Sequence, residues 1–409
     1  MTDYQYESEQ AATRGLLQAV SEELGHDLAP EWAAAALAAP RHHFLPERIW
    51  LDDGAGGYAP CGREQDPARW FAAAYANEAV VTQVNDGQEP DGQVWPSSSL
   101  SAPAIVFRML EALDLDALGP DDAVYEIGTG RGWSAALLCH RLGDHRVVTA
   151  EIDASSAEQA RANLAAAGFL PEIVISDGAE GWNARGPYTR TVATCAVRRV
   201  PQPWVEQTRP GGIILTPWDN PWICWGLLTL AVSESGAAVG RFSSDSAFML
   251  MRTQRASLSI SDVVKEGHKP DESTTTLPRR TVVWGNAAFA VGMRLGDVGN
   301  TWQDAPVEGV KDRLWLVTID GTSWAAVDHD GGDQDEFTVH QYGPRRLWDE
   351  VEAAYFWWVE NGKPGPERFG LTVTPDGEHR AWLDEPVLSW LLRDASGAMT
   401  EAPEAGALP

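Results

Sequence analysis

The 409-residue sequence has few basic residues, few cysteines and no long apolar run. Against 59 Asp and Glu there are only 31 Lys and Arg, and the formal net charge of −28 disfavours binding to nucleic acid or to an anionic membrane surface. The four cysteines lack CxxC spacing, which argues against a zinc knuckle and a disulfide framework. No apolar stretch reaches about 18 residues, and the first ten residues are polar and acidic, unlike a signal peptide. We therefore expect a cytoplasmic protein without a membrane segment.

The N-terminal region divides into a helical part and an irregular part. Helix-forming residues fill 8–24 and 30–39. From about 50 to 100 the sequence is interrupted by glycines and serines, and we expect loops there, where binding sites are often placed. The segment 102–113 has apolar residues at helical spacing, and Ser101 is expected to be its N-cap.

Strands and helices alternate in the next part of the chain. This alternation predicts an α/β fold of Rossmann-like type, in which a parallel sheet carries helices on both faces. The expected elements are the strand Val124–Ile127, the helix Trp133–Leu142, the strand Val147–Glu151, the helix Ser155–Ala167, and further strands at Glu172–Ser176, Thr191–Thr194 and Gly212–Thr216.

The second half of the sequence has a different pattern. A polar segment at 256–280, rich in Ser, Thr, Lys and Asp, predicts a linker. Beyond it, an amphipathic helix at 344–360 and several strand-like stretches predict an added C-terminal α+β domain. Those strands are expected at Thr281–Trp284, Leu314–Ile319, Thr322–Val327 and Gly370–Val373. The predicted organisation is therefore N-terminal helices and substrate-side loops in 1–100, a Rossmann-like core in 101–255, a linker in 256–280, an α+β domain for peptide recognition in 281–395, and a disordered tail in 396–409.

A glycine-rich turn follows the first predicted strand of the core. Its glycines let the backbone pass close to a ligand at the carboxyl edge of the sheet. Dinucleotide enzymes use a similar turn with Gly-x-Gly-x-x-Gly spacing, whereas here the spacing is Gly-x-Gly-x-Gly with an acid, Glu126, inside the motif. The next strand ends at Glu151, whose carboxylate is placed to accept both ribose hydroxyls of a nucleoside. Asp177 ends a third strand and is placed to accept from an adenine amino group.

Together these features favour S-adenosylmethionine over NAD as the cofactor. The candidate cofactor-binding residues are Glu126, Gly128, Thr129, Gly130, Gly132, Glu151, Ile152, Asp177 and Gly178.

At this point the sequence resembles the protein-L-isoaspartate O-methyltransferase family, over about half of the chain. Pro40–Pro46 is similar to the first motif of that family, and Ser101–Pro103 is similar to its active-site Ser-x-Pro element at a helix start. The other similar segments are Glu126–Trp133, Asp177–Trp182, Pro187–Tyr188 and Arg209–Leu215, in the family's order. The resemblance implies S-adenosylmethionine as methyl donor, S-adenosylhomocysteine as product, and contact between Ser101 and the substrate carboxylate.

Departures from that family point to a particular branch. The chain has extra residues between Pro46 and Ser101, a serine run at 96–101 in place of a short glycine-rich approach, and the large C-terminal unit. This combination resembles a branch associated with ribosomal peptide natural products, either lanthipeptides or graspetides. The branch implies methylation of an aspartate side chain in a cyclised precursor peptide, after which the ester closes to aspartimide and can hydrolyse to isoaspartate. The candidate catalytic residues are Ser101, Ser99 and Ser98.

Three other functions stay open. The first is repair of isoaspartate in damaged proteins, against which the serine run and the C-terminal unit count. The second is non-catalytic peptide binding on a decayed scaffold, against which the intact Glu126, Glu151 and Asp177 count. The third, NAD-dependent oxidoreduction, is disfavoured by the glycine spacing. A carboxylate with a pKa of ~4 is ionised at neutral pH, so its methylation needs no strong base and no metal, and we expect none.

Overall fold

The computed structural model describes residues 3–92, 94–243, 246–255, 259–332 and 335–393. These residues form two compact units, the first made of 1–195 and 203–215 and the second of 196–202 and 216–409. The chain therefore divides earlier than the boundary expected at 255. None of the described helices is both long enough and apolar enough to cross a membrane.

The first unit carries the expected parallel sheet. Its parallel strands run in the order β7, β6, β5, β8 and β9, and the prediction of an α/β fold is confirmed. Because parallel strands end at one edge, the segments that follow β5, β6 and β7 come together there. The elements are α1 Asp3–Leu24, α2 Pro30–Ala38, β1 Arg48–Asp52, β2 Tyr58–Gly62, α3 Pro67–Ala74, β3 Val80–Val84, β4 Pro96–Leu100, α4 Pro103–Ala112, β5 Val124–Ile127, α5 Trp133–Leu142, β6 Val147–Glu151, α6 Ala154–Ala166, β7 Glu172–Ile175, β8 Tyr188–Ala193, α7 Gln202–Glu206 and β9 Thr208–Asp219.

The region 50–100 is a second sheet, so the prediction of loops there is wrong. Strands β1 to β4 are ordered β2-β1-β3-β4 and pair antiparallel. The serine run forms β4, in which Leu100 pairs with Val80 and Ser99 with Val81. The glycines and serines of this region suggested loops, but β3, which is buried along its whole length, pairs with β4 at four positions between Pro96 and Leu100. Pairing with a distant strand outweighed the local sequence.

Ser101 is not the N-cap of the helix that follows it. Helix α4 begins at Pro103, its N-cap residue is Ala102, and no side chain of that residue caps it. The amide of Ala104 instead donates to Asn77 Oδ1 at 2.8 Å. An orphan amide at a helix start needs an acceptor, and here the acceptor comes from a residue far away in sequence.

The second unit contains two sets of antiparallel strands. One is ordered β19-β18-β17-β11-β10 and the other β12-β16-β15-β14-β13. Helices α9 and α10 contribute Val291, Leu295 and Val351 to the core of the second sheet, next to Leu314 and Val327. The elements are β10 Cys224–Val232, β11 Ala238–Ser243, α8 Ile260–Val263, β12 Asp271–Thr275, α9 Gly285–Leu295, β13 Val298–Asp304, β14 Asp312–Thr318, β15 Trp324–His329, β16 Phe337–Tyr342, α10 Leu347–Glu360, β17 Phe369–Val373, β18 His379–Leu383 and β19 Ser389–Leu391.

Two expectations for this unit differ from the structure. The segment predicted as a linker contains β12, which pairs with β16; four of its five residues are exposed, so an edge strand has the polar sequence of a linker. The strand expected at Thr281–Trp284 is instead a 3-10 turn at Arg279–Val282, which buries Val282 and presents its carbonyl to Trp222 Nε1 at 2.8 Å. The predicted disordered tail, 396–409, lies outside the described residues.

Candidate functional site

The glycine turn between β5 and α5 has a backbone that only glycine adopts easily. Gly128, Gly130 and Gly132 have φ of 93°, 54° and 93°, in the left-handed region. The amides of Gly128 and Thr129 both donate to the carbonyl of Ala150, at 2.9 and 3.1 Å, which clamps the turn to β6. A β-carbon at Gly128 would also lie 2.6 Å from Thr194 Oγ1. The backbone of the turn therefore lies close to Ala150 and Thr194, and its three glycines add no side chains at the sheet edge.

Glu126 is fully buried under this turn. Its Oε2 accepts from Thr149 Oγ1 at 2.7 Å, and Thr149 Oγ1 also lies 2.7 Å from Thr129 Oγ1. Burial raises the pKa of Glu126 to about 7, and the side chains of Thr149 and Ser134 offset this effect only partly. Its other oxygen, Oε1, is buried without a hydrogen-bond partner among the described residues. A buried acceptor in this condition suits a cationic ligand, and S-adenosylmethionine carries an ammonium and a sulfonium group.

Glu151 lies at the carboxyl end of β6, and backbone amides fix its orientation. Its Oε2 accepts from Gly130 N at 2.8 Å and its Oε1 from Asp153 N at 3.1 Å. The side chain is 9% exposed. The carboxylate is thus held at the rim of the glycine turn, and its contact with a ribose stays a prediction.

The remaining candidate cofactor residues follow β6 and β7. Ile152 is 41% exposed, which leaves an apolar side chain free to cover an adenine ring. Asp177 Oδ1 accepts from Ala179 N at 2.9 Å, so this carboxylate caps a short 3-10 turn. A β-carbon at Gly178 would lie 2.3 Å from Ile127 Cγ2, so no larger residue fits there. The structure brings these residues to the same sheet edge as the glycine turn.

Two of the predicted serines, Ser98 and Ser99, lie on β4 against the glycine turn, and Ser101 directly follows that strand. A β-carbon at Gly130 would lie 3.9 Å from Ser98 Oγ and 4.0 Å from the carbonyl oxygen of Ser99. Thr82 Oγ1 donates to Ser98 Oγ at 3.4 Å. In the part of the chain that the structure describes, the hydroxyls of Ser99 and Ser101 have no hydrogen-bond partner. They are therefore available to a substrate.

Arg41, which sequence reasoning missed, holds the end of this serine strand. Its Nη1 donates to the carbonyls of Ala73, Ala74 and Ala76 at 3.3, 2.9 and 3.2 Å. Its Nη2 donates to the carbonyls of Glu78, Leu100 and Ser101 at 2.8, 3.2 and 3.1 Å. The side chain is 1% exposed, and burial lowers its pKa to about 9, so it is a cation at neutral pH. Its only sequence signal is its position in the Pro40–Pro46 motif.

A second set of hydrogen bonds joins β3 to the cofactor edge. Gln83 Nε2 donates to Asp153 Oδ2 at 3.2 Å, and its Oε1 accepts from Ser97 Oγ at 2.9 Å. Arg131, from the glycine turn, donates through Nη2 to the carbonyl of Thr82 at 3.1 Å. No local pattern identified these residues, because their partners lie 14 to 70 positions away in sequence.

One group of side chains has the composition of a metal site. Glu9, His42 and His43 place their ligand atoms within 4.8 Å of one another. However, His42 Nδ1 lies 2.6 Å from the hydroxyl of Tyr75 and its Nε2 lies 3.4 Å from Glu9 Oε1. Burial lowers the pKa of His42 to about 3, so the ring is neutral and these two neighbours satisfy both of its nitrogens. The expectation that no metal is needed stays a prediction.

Comparison with known proteins gives consistent matches. The family model for Protein-L-isoaspartate(D-aspartate) O-methyltransferase (PCMT) matches residues 67–223, which include the glycine turn and the serine strand. Protein-L-isoaspartate O-methyltransferase 2 of Archaeoglobus fulgidus is 32% identical over 199 residues, 48% of this chain and 74% of that protein. The Protein-L-isoaspartate O-methyltransferase of Methanoculleus marisnigri is 38% identical over 137 residues, 33% of this chain and 60% of that protein.

A solved structure described as protein-L-isoaspartate O-methyltransferase aligns with 91% of this chain and 100% of its own length. Its TM-score is 0.49 and its sequence identity is 17%.

Proposed function

Because the chain belongs to the protein-L-isoaspartate O-methyltransferase family of S-adenosylmethionine-dependent carboxyl O-methyltransferases, we propose that it methylates an aspartate side chain in a cyclised ribosomal precursor peptide. The methyl ester then closes to an aspartimide, which can hydrolyse to isoaspartate. The observation that carries the proposal is the serine strand β4, whose Ser98 and Ser99 lie against the cofactor turn. The candidate substrate-contacting hydroxyls are those of Ser101, Ser99 and Ser98.

The chemistry suits the groups that surround the turn. When bound, S-adenosylmethionine supplies a methyl group on a positively charged sulfur. Transfer of that methyl group to an aspartate oxygen, with the sulfur leaving as a neutral thioether, would remove both opposite charges together. The step therefore needs orientation and exclusion of water more than a base. Serine hydroxyls donate to a carboxylate without removing its nucleophilic electron pair, so they orient it while one oxygen reacts.

Ring closure needs no further group from the protein. The backbone amide nitrogen that follows the esterified aspartate attacks the ester carbonyl, and methoxide leaves. The amide proton ends on methanol. The five-membered imide then opens by addition of water, at either carbonyl, and one of the two products is isoaspartate.

The choice of client rests on what this chain has beyond the matched segment. The family model covers residues 67–223, and the chain continues to residue 409. A repair enzyme must accept isoaspartate in many unrelated sequences, which a dedicated recognition domain would restrict. A tailoring enzyme meets one precursor and gains specificity from additional contacts. The second unit and the β1–β2 hairpin therefore support a single peptide client.

The alternative function is repair of isoaspartyl residues in damaged proteins. It is favoured by the names of the relatives from Archaeoglobus fulgidus and Methanoculleus marisnigri, at 32% and 38% identity. Both functions use the same cofactor and a carboxylate substrate. They differ in the substrate, and therefore in the outcome of one experiment.

That experiment incubates the full chain and S-adenosylmethionine with three substrates in parallel and follows their masses. The substrates are the cyclised precursor peptide encoded beside the gene, its linear form, and an isoaspartyl peptide of matched sequence. We expect the cyclised precursor to gain a methyl group and then lose methanol, with no turnover of the isoaspartyl peptide. Turnover of the isoaspartyl peptide alone would establish repair instead. Binding of the precursor without any methyl transfer would indicate a peptide-binding protein.

Two variants test the role of the serine strand. Ser101→Ala is expected to lower kcat while leaving the Kd for S-adenosylhomocysteine unchanged. Ser8→Ala, an exposed serine on α1, is the matched control and should behave like the unaltered protein. Equal activity of both variants would remove Ser101 from the proposed site.

A further inference from the structure

The first unit contains a cavity of about 920 Å³ that adjoins the cofactor edge. None of Glu126, Glu151 and Asp177 is among its lining residues. One wall comes from the 3-10 turn at Arg41–Phe44, from β1 and from the residue that follows β2, through His43, Arg48 and Arg63. The facing wall comes from the glycine turn and α6. A volume of this size is typical of ligand pockets, which span about 300–1,000 Å³.

The charge of the lining is opposite to that of the chain. Three arginines, Arg48, Arg63 and Arg131, face two acids, Glu47 and Glu89, whereas the whole chain has a net charge of −28. Arg48 lies 3.8 Å from Glu89 and Arg63 lies 3.5 Å from Glu47, and both glutamates are more than 70% exposed. Exposed pairs of this kind contribute little, about 0–1 kcal/mol each. An incoming carboxylate can therefore replace either glutamate at small cost.

Arg131 is the most confined of the three cations. Its Nη2 donates to the carbonyl of Thr82, while its Nε is buried without a hydrogen-bond partner. Arg131 forms no ion pair with any residue that the structure describes. Burial lowers its pKa, although Asp153 and Glu151 oppose that effect. A partly desolvated guanidinium that lines the cavity and forms no ion pair favours an anionic ligand.

The cavity reaches the serine strand through β3. Thr82 and Gln83 line it, and the same two residues hydrogen-bond Ser98 and Ser97 of β4. Residues 42–63 of the first wall precede the segment 67–223 that the family model matches. One wall of the cavity thus lies outside the matched segment, and the other includes the cofactor turn. This arrangement suits a site that selects the substrate next to a reaction centre shared by the family.

We propose that this cavity binds an acidic segment of the peptide substrate and so delivers the neighbouring aspartate to the serine strand. The proposal rests on the proposed function for the identity of the substrate. Its physical basis is electrostatic: an acidic peptide is repelled by a chain of net charge −28, and a local group of arginines reverses that potential where the peptide must dock.

The first test measures binding without any methyl transfer. The probe is a fluorescein-labelled peptide of alternating Glu and Gly residues, with a Gln and Gly peptide of equal length as its uncharged control. We expect the full chain to bind the Glu peptide, with affinity that falls as salt rises, and to bind the Gln peptide at least about tenfold more weakly. The double variant Arg48→Ala, Arg63→Ala should lose that preference. The matched control, Arg14→Ala with Arg161→Ala, alters exposed arginines outside the cavity and should keep it.

The second test measures turnover of the cyclised precursor. In the Arg48→Ala, Arg63→Ala variant we expect KM to rise about tenfold while kcat and the Kd for S-adenosylhomocysteine stay within twofold of the unaltered protein. Changing the acidic residues of the precursor, other than the target aspartate, to amides should raise KM similarly and make the double variant indistinguishable from the unaltered protein.

The outcomes separate the two proposals. Equal binding of the Glu and Gln peptides by the unaltered protein would overturn the cavity proposal, whatever the precursor assay shows. Selective binding of the Glu peptide without methylation of the precursor would keep the cavity and overturn the proposed client. A KM increase of equal size for the acidic and the amide precursors would mean that the arginines act on structure, which would also overturn the cavity proposal.

Discussion

Arg41 connects the end of the serine strand to the backbone of residues 73–78, and its replacement tests whether that connection positions the substrate. The guanidinium donates to six backbone carbonyls, and its Cζ lies 5.6 Å from the ring centroid of Trp133, the first residue of α5. Arg41 shares the four N–H groups of Nη1 and Nη2 among these six carbonyls, whereas lysine offers three N–H groups on a single nitrogen, so Arg41→Lys leaves more of the carbonyls without a donor. Arg41→Met has a side chain of similar length and satisfies none.

The expected loss of stability follows from those unsatisfied acceptors. Each buried carbonyl left without a donor costs about 1–3 kcal/mol, while removing the buried cation recovers part of its desolvation. We expect a net loss of about 3–5 kcal/mol for Arg41→Met and about half of that for Arg41→Lys. The free energy of unfolding of small domains is about 5–15 kcal/mol, so Arg41→Lys should remain folded, whereas Arg41→Met should retain little of that free energy.

The effect on catalysis is measured as kcat of the Arg41→Lys variant, at a temperature below the melting temperature of that variant. Because the carbonyls of Leu100 and Ser101 each lose part of their anchor, the serine strand should shift relative to the cofactor turn. A displacement of about 1 Å can lower a rate by about a hundredfold, so we expect kcat to fall by ten- to a hundredfold. The Kd for S-adenosylhomocysteine should stay within about threefold, since no cofactor candidate contacts Arg41.

Two results would refute this reasoning. The first is a kcat of Arg41→Lys equal to that of the unaltered protein at the same folded fraction, which would show that the carbonyls do not need the guanidinium. The second is an equal loss of cofactor affinity and kcat, which would mean general damage to the unit. A melting curve by circular dichroism and a titration with S-adenosylhomocysteine distinguish these outcomes.

Three further predictions concern the cofactor edge and α4. Because burial raises the pKa of Glu126 to about 7, the protonated carboxyl stabilises the fold at pH values below its ordinary pKa, and this stabilisation is lost as the pH rises through 7. A cationic cofactor, in contrast, favours the ionised carboxylate. Calorimetric affinity for S-adenosylmethionine should therefore increase from pH 6 to 8, and Glu126→Gln should abolish that increase; an unchanged slope would exclude Glu126 as the titrating group. Gly178→Ala forces a β-carbon to within 2.3 Å of Ile127 Cγ2 and should lower the free energy of unfolding by about 1–3 kcal/mol, which denaturant titration would measure. Asn77→Ala should cost about 1 kcal/mol because Asn77 caps α4, while Ser101→Ala should leave the melting temperature unchanged; the reverse pattern would restore Ser101 as the cap.

Local features of the sequence predicted the cofactor edge well. Strands β5 and β6 have the predicted bounds, and the glycines between Glu126 and Trp133 have the backbone that their spacing indicated. The prediction succeeded because strand, turn and helix start lie within a few consecutive residues. The positive φ of three positions also leaves glycine as the only residue without steric cost.

Predictions failed where distant partners decided the conformation. The serine run became a strand because buried β3 pairs with it, and the polar segment at 271–275 became a strand because β16 does. Neither partner is visible from local propensity. The cap of α4 moved from the adjacent Ser101 to Asn77 for the same reason.

The sequence by itself determined the family, the cofactor and the residues that form the turn, since these depend on short motifs whose chemistry and backbone geometry are local. Only the tertiary structure decided what holds the serine strand against that turn. Arg41, Arg131 and Gln83 act through hydrogen bonds to partners 49 to 70 positions distant in at least one contact each. Such bonds form only after the chain has folded, because only the fold brings donor and acceptor together. Once a carbonyl or carboxylate is buried, it needs a hydrogen-bond donor in place of water.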